Sequence, residues 1–380
     1  MSSPRPLLTR FAITRPKYEI AQDRSLAWLA AAHTEAEAAR ADDGFDREQF
    51  AETIARVIAR CACSPSKIGR RGHSVSDIAR GGSTTAWTDN QLYDLPVHPH
   101  GSGSATRTRL YAEIVDAYFA NAYDGETRAP DDLIHVTCTG YVSPSGGQKL
   151  VAARGWPTRV THAYHMGCYA AVPAVRLAAG AIATGSRRAD IVHTELCSLH
   201  LDPSDHRLEQ LVVQSLFADG MIRYTMVPDD GSPGLRVLAL HEQVLPGSAD
   251  AMGWLVANWG MQMTLARDVP DRIAGAVRGF VIELYRRAGL DLGAMERSVF
   301  AVHPGGPRII DRVREVLELS EAQVATSRGV LFDHGNMSSA TLPHIWQRLI
   351  DDPAVPRGTP IPSLAFGPGL TMCGALLEKR

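Results

Sequence analysis

Three residues far apart in the chain are of the types that nucleophilic catalysis uses. Cys168 follows Gly167 directly and precedes the apolar run YAAVPAVRLAAGAIATG. Pro173 is tolerated only near the first turn of a helix, so a helix is predicted to begin close to the cysteine, with the sulfur near its positive end. A thiolate is stabilised in such a place. His303 closes the apolar run of VFAVHPGGPRI, where the chain breaks into Pro-Gly-Gly, a position from which a ring projects into a crevice. Asn336 stands in DHGNMSSAT, after a glycine and before Ser338 and Ser339, where a capping asparagine is also expected. Singly, each has a plainer role, since buried free cysteines are common core residues and a histidine at a strand end is often only a hydrogen-bonding one. Brought together they form a working set, in which the imidazole holds the cysteine as a thiolate while the amide and the protonated imidazole donate to an oxyanion.

Such a set fits two unrelated enzymes. In a papain-like protease the three residues run in the same chain order, with the histidine 130 to 150 residues after the cysteine. Here the separation is 303 − 168 = 135. The protease's local Cys-Gly-Ser-Cys-aromatic pattern is missing around Cys168, and no secretory segment is visible. A thiolase-fold condensing enzyme is the other candidate.

The elements that would position these residues read as a layered α/β protein. Helical spacing with charged faces covers residues 24–41 and 46–60, which predicts two surface helices. The Gly-, Ser-, Pro- and His-rich stretch 64–105 predicts a long irregular excursion over the surface, carrying Lys67, Arg70 and Arg71 as a cationic cluster. From residue 106 a helix leads into LIHVTCTG, then a loop and helix, the strand approach TRVTHAYHMG, the Cys168 helix and the strand ADIVHTELCS. That alternation of strand and helix predicts a largely buried central sheet. The C-terminal third repeats the theme, which points to two similar halves.

Composition excludes several classes. The 380 residues are 45% hydrophobic and 21% charged with a formal net charge of −2, which argues against nucleic-acid binding. The opening MSSPRPLLTRFAITRP has no apolar core of signal-peptide length, and no run of about 18 apolar residues occurs, so no membrane span and a cytoplasmic location are expected. Six cysteines are scattered, and the pair Cys61 and Cys63 lacks a second pair to complete a zinc site. Neither a metal nor disulfides are expected.

Five blocks carry a closer resemblance: MGCYA around Cys168, DPSDHRLEQLVVQSLFADG (202–220), VHPGGPRIIDRV (302–313), GNMSSAT (335–341) and FGPGLT (366–371). Over most of residues 106–380 the chain resembles the type III polyketide synthases, the chalcone synthase-like family of the thiolase superfamily. The resemblance implies a homodimer with a five-layered αβαβα fold. An N-terminal half, 1–236, would carry the nucleophile, and a C-terminal half, 237–380, the histidine and asparagine. It implies that Cys168 accepts the acyl group, while His303 and Asn336 assist decarboxylation of a malonyl extender and stabilise the enolate. Phe217 would be the gate between coenzyme A tunnel and cavity, Gly367, Pro368 and Gly369 a cavity-shaping turn, and Thr139 a cavity residue. Met263 replaces a family phenylalanine near the cavity floor. Trp254 falls where many members have glycine, which favours a small starter or few extensions, unless Gly253 keeps that role. Lys67, Arg70 and Arg71 lie where the family has a basic coenzyme A-binding cluster.

The expected reaction is decarboxylative Claisen condensation of an acyl-CoA starter with malonyl-CoA, with cyclisation to a pyrone or phenolic ring. Coenzyme A thioesters are then substrates, and no cofactor is needed. The rival within the same fold is a ketosynthase III-like enzyme performing one condensation or acyl transfer on chains delivered by an acyl carrier protein.

Overall fold

The computed structural model describes residues 5–80 and 87–380. Its first part runs β1 (Pro6–Thr14), β2 (Tyr18–Ala21), α1 (Gln22–Ala38), α2 (Arg47–Cys61), β3 (Arg70–His73), α3 (Asp77–Arg80) and α4 (Ser104–Ala122). The middle follows as β4 (Asp132–Thr137), α5 (Gly146–Arg154), β5 (Arg159–Tyr164), α6 (Ala171–Ala183), β6 (Ala189–Leu196), α7 (Leu208–Leu216), β7 (Asp219–Pro228) and β8 (Leu235–Val244). After the hairpin β9 (Met252–Val256) and β10 (Met261–Leu265) come α8 (Val269–Ala288), β11 (Ala301–Val302), α9 (Pro307–Leu317), α10 (Glu321–His334), α11 (Thr341–Asp351), β12 (Pro360–Gly367) and β13 (Thr371–Lys379).

Among the described residues nine strands join in the order β11-β12-β13-β8-β1-β7-β6-β4-β5. One pattern occurs twice. β4 is parallel to β6, and β7 is antiparallel to both β6 and β1. Likewise β11 is parallel to β12, and β13 is antiparallel to both β12 and β8. The alternation of side chains along these strands builds layers. Ile134 and Val136 of β4 join a cluster containing Ala174 and Val175 of α6 and Ile345 and Trp346 of α11, whereas Leu133 faces Trp28 of α1 and Leu110 of α4. In the other half Ile361 and Ala365 of β12 join the same central cluster, while Leu364 and Phe366 face Val277 of α8 and Ile310 of α9. Helices α6 and α11 thus lie between two sheet halves whose outer faces other helices cover, the five-layered αβαβα arrangement expected. With both faces covered, β6 is buried at every residue, although Asp190, His193 and Glu195 lie within it.

The structure corrects the sequence reading in two places. Within 64–105, of which 81–86 lie outside the described residues, the chain is not all surface loop: it contains β3 and α3, and Leu92, Tyr93 and Leu95 are fully buried. Its irregular backbone is satisfied by the buried Asp77 carboxylate, which accepts the N–H groups of Leu92 (2.7 Å) and Tyr93 (2.9 Å). The opening residues, given no element from sequence, form β1, which pairs with β7 on one side and β8 on the other and so stitches the halves together.

Candidate active site

Parallel strands of both halves end around one pocket, as open α/β sheets place their sites. β4 leads to Cys138 and Thr139, β5 to Cys168, β6 to Cys197 and β12 to Pro368, and all five residues line one pocket. Leu201, Val213, Met252, Trp254, Met261 and Met263 give it an apolar wall, and Phe217 stands on it.

Cys168 sits in a 3₁₀ turn, Gly167–Tyr169, and the α-helix starts only at Ala171. Gly167 has φ +75°, and a Cβ there would lie 2.8 Å from the ring of Pro368, so the turn can approach Pro368 only with glycine before the cysteine. The expected ready-made thiolate is corrected. Burial pushes the Cys168 thiol up to about 12, although hydrogen bonds from the Ser338 hydroxyl and the Asn336 amide favour its ionised form. The Ser338 hydroxyl lies 3.7 Å from its sulfur.

His303 follows β11, and its backbone N–H donates to the Leu364 carbonyl at 2.7 Å. The ring is 1% exposed, and neither nitrogen has a hydrogen-bond partner among the described residues. Burial draws its pKa down to about 3, so thiol and imidazole are both neutral at rest. Orphaned buried nitrogens cost about 1–3 kcal/mol, and the equally buried His73 ring is unpartnered in the same way.

Asn336 is held by backbone pairing with the segment around Phe217: its N–H donates to Leu216 O (2.9 Å), and the Ala218 N–H to Asn336 O (2.8 Å). The side-chain oxygen accepts the Ser338 N–H at 2.9 Å, and the amide nitrogen approaches Gly305 O at 3.4 Å, on the loop that follows His303. The expected cap is thus only a local turn across 336–338; the 3₁₀ turn Ser338–Ala340 and α11, which begins at Thr341, both start without a side-chain cap.

Beneath the pocket lies a polar chain that the sequence reading did not assemble. The Ser338 hydroxyl also meets Cys138 Sγ at 3.1 Å. Glu195 accepts from the Cys138 N–H (3.0 Å) and the Thr139 hydroxyl (3.1 Å), and on its other oxygen from the Ser339 hydroxyl, which meets His193 Nδ1 at 2.9 Å. Burial raises the Glu195 carboxyl above its ordinary range. The available signal was a carboxylate inside an otherwise buried β-branched run.

Residues 237–379 match the family model for chalcone and stilbene synthases, C-terminal domain. Type III polyketide synthase A of Arabidopsis thaliana is 30% identical over 272 residues, covering 66% of this chain and 67% of that protein. The 1,3,6,8-tetrahydroxynaphthalene synthase of Streptomyces coelicolor is 32% identical over 247 residues, 63% and 64% of the two chains. The chain belongs to the type III polyketide synthase family. Polyketide synthases of this family are condensing acyltransferases. The solved type III polyketide synthase domain of Steely1 from Dictyostelium superposes with a TM-score of 0.81 at 21% identity over 99% of both chains, a likeness of fold.

Against that family pattern, the structure puts Thr139, Phe217, Trp254, Met263 and Pro368 on the pocket wall, with Gly367 and Gly369 flanking the last. Trp254 and Met263 face each other across β9 and β10. The Trp254 indole N–H donates to Cys138 O at 2.6 Å, so the ring is fixed against the end of β4. Gly253 also lines the pocket, but a Cβ on it would strike the Thr264 hydroxyl at 2.6 Å. The cationic cluster does not hold as a unit. Lys67 and Arg70 are exposed, but Arg71 is 2% exposed and bonded internally, out of reach of a phosphate.

Proposed function

We propose that this polyketide synthase condenses a small acyl-CoA starter with malonyl-CoA, with Cys168, His303 and Asn336 as its catalytic residues. The observation that carries the reading is the buried His303 ring with both nitrogens unpartnered, on a loop that Asn336 touches while its amide favours the Cys168 thiolate. In the first step the Cys168 sulfur attacks the starter thioester carbonyl as its proton passes to His303. The tetrahedral oxyanion collapses, the C–S bond to coenzyme A breaks, and the leaving thiolate takes that proton. Malonyl-CoA then loses carbon dioxide, and the N–H groups of His303 and Asn336 hold the enolate oxygen. The enolate carbon attacks the acyl group on Cys168, a carbon–carbon bond forms as the C–S bond to the cysteine breaks, and the extended chain, now a coenzyme A thioester, returns to Cys168 by the first step for any further extension.

Thiol, imidazole and amide suffice for these steps, which is why we assign no cofactor beyond coenzyme A thioesters. The apolar wall with Trp254 across it favours a small starter and few extensions, followed by closure to a pyrone or phenolic ring. Exposed Lys67 and Arg70 are the residues we assign to coenzyme A phosphates. Residues 1–236 and 237–380 serve as the two halves, and a homodimer is the working form. No helix among the described residues is long and apolar enough to cross a membrane, and all six cysteines are free, as in a reducing compartment such as the cytoplasm. The test is turnover with acyl-CoA starters and carbon-labelled malonyl-CoA, expected to give labelled carbon dioxide and a product longer by whole two-carbon units. Products formed only from carrier-protein thioesters would replace this reading.

A further inference from the structure

Arg71 is a buried cation with no carboxylate hydrogen-bonded to it among the described residues. Its Nε donates to Gln22 Oε1 and its Nη1 to the carbonyls of Gln214 and Phe217, each at 2.8 Å. Gln22, also fully buried, donates through Nε2 to the carbonyls of Cys63 and Ser215, each at 2.8 Å. These acceptors include the last-turn carbonyls of α7, the negative end of that helix, where a cation and its donors are favoured. The other side of Arg71 meets the asparagine loop. Gly335 has φ +75°, and a Cβ there would lie 3.0 Å from Arg71 Cγ and 3.0 Å from Leu216 O. The next residue, Asn336, is paired through its backbone with Leu216 and Ala218, with Phe217 between them. One side chain therefore grips the segment that presents Phe217 and supports the segment that presents Asn336.

We propose that Arg71 is a positioning residue that fixes Phe217 and Asn336 in a single register, so that the gate and the amide donor are set together. This rests on the roles assigned to those two residues above. A lysine keeps the charge but cannot reach Gln22 and two carbonyls through one planar fork. Arg71→Met keeps the stem and loses all three bonds.

The test compares wild type, Arg71→Lys, Arg71→Met and Phe280→Leu, the last a buried outer-layer change outside both segments and not lining the pocket. Acyl loading, kcat and KM for condensation, and hydrogen–deuterium exchange of residues 214–218 and 335–338 are measured on the full chain. Arg71→Met is expected to load acyl groups within threefold of wild type, to lose at least thirtyfold in kcat with a severalfold rise in KM, and to exchange faster in both segments together. Arg71→Lys should fall between it and wild type, and it carries the test if Arg71→Met does not fold. Phe280→Leu should lower the melting temperature while leaving KM and exchange at these segments unchanged. Unchanged kcat and KM in the Arg71 variants, or faster exchange in only one segment, would overturn the proposal. Failure of wild type to load any acyl group would instead defeat the functional reading, and the paired exchange would still decide whether Arg71 couples the two segments.

Discussion

The strand order β4-β6-β7-β1 recurs as β11-β12-β13-β8 with the same relative directions, yet the corresponding strand ends differ in chemistry. β4 leads to Cys138 and Thr139, where its counterpart β11 leads to His303. β6 leads to Cys197 and β12 to Pro368. The first half has a further strand, β5, and its end leads to Cys168. The scaffold repeats and the loops do not, so function resides in what each half sets on the same frame. On the proposed reading one half captures the acyl group and the other makes the carbanion.

The most severe way to break the comparison is to separate the halves. Leu8 of β1 lies opposite Met226 on one side and Leu235 on the other and is fully buried. Leu8→Pro removes a ladder donor there and should cost about 3 kcal/mol or more. Loss of soluble folded protein is expected, and a cooperative melt within a few degrees of wild type would show that β1 does not join the halves.

A second break separates the two chemistries. Asn336→Ala should still load an acyl group on Cys168 but lose about 10²–10³-fold in condensation, the usual scale for removing one oxyanion donor. Single-turnover loading and steady-state condensation measured side by side check this. Equal loss in both would put Asn336 in acyl capture.

A third sharpens the role of the wall. Trp254→Gly opens the space between Cys138 and Met263, and products longer by one or more extender units should rise severalfold by mass spectrometry. An unchanged product profile would remove Trp254 as the limit on chain length.

The smallest effect concerns pH. Burial holds His135, His193 and His200 down to about 3 and His344 to about 4. Above about pH 6.5 these rings are neutral folded or unfolded, so they contribute no pH dependence. Below it the unfolded chain binds protons that the folded chain refuses, at up to about 1.4 kcal/mol per pH unit for each ring. The melting temperature should therefore fall between pH 7.5 and 5.5, and a flat profile would contradict this burial.

The sequence revealed the loops better than the frame. MGC, VHPGG and GNMSS are each short, with glycine or proline forcing a turn beside a chemically capable residue, so local pattern was enough to single out Cys168, His303 and Asn336 as candidates. The αβαβα layering was also legible, because β-branched runs alternate with helices. β1 was not, since PLLTRFAIT has polar and charged positions and becomes a strand only between β7 and β8. Arg71 looked like a surface cation because burial of a guanidinium depends on carbonyls 143 and 146 residues away. Glu195 and Ser339 meet across 144 residues for the same reason, through tertiary pairing that no local window holds.

The most direct measurement is intact-protein mass spectrometry of wild type and Cys168→Ala after incubation with acyl-CoA thioesters, with and without malonyl-CoA. Mass gained by wild type alone, and growing when malonyl-CoA is added, is the predicted result. Equal acylation of Cys168→Ala, or no growth of the bound chain with malonyl-CoA, would contradict the assignment of Cys168 as the residue on which the polyketide is built.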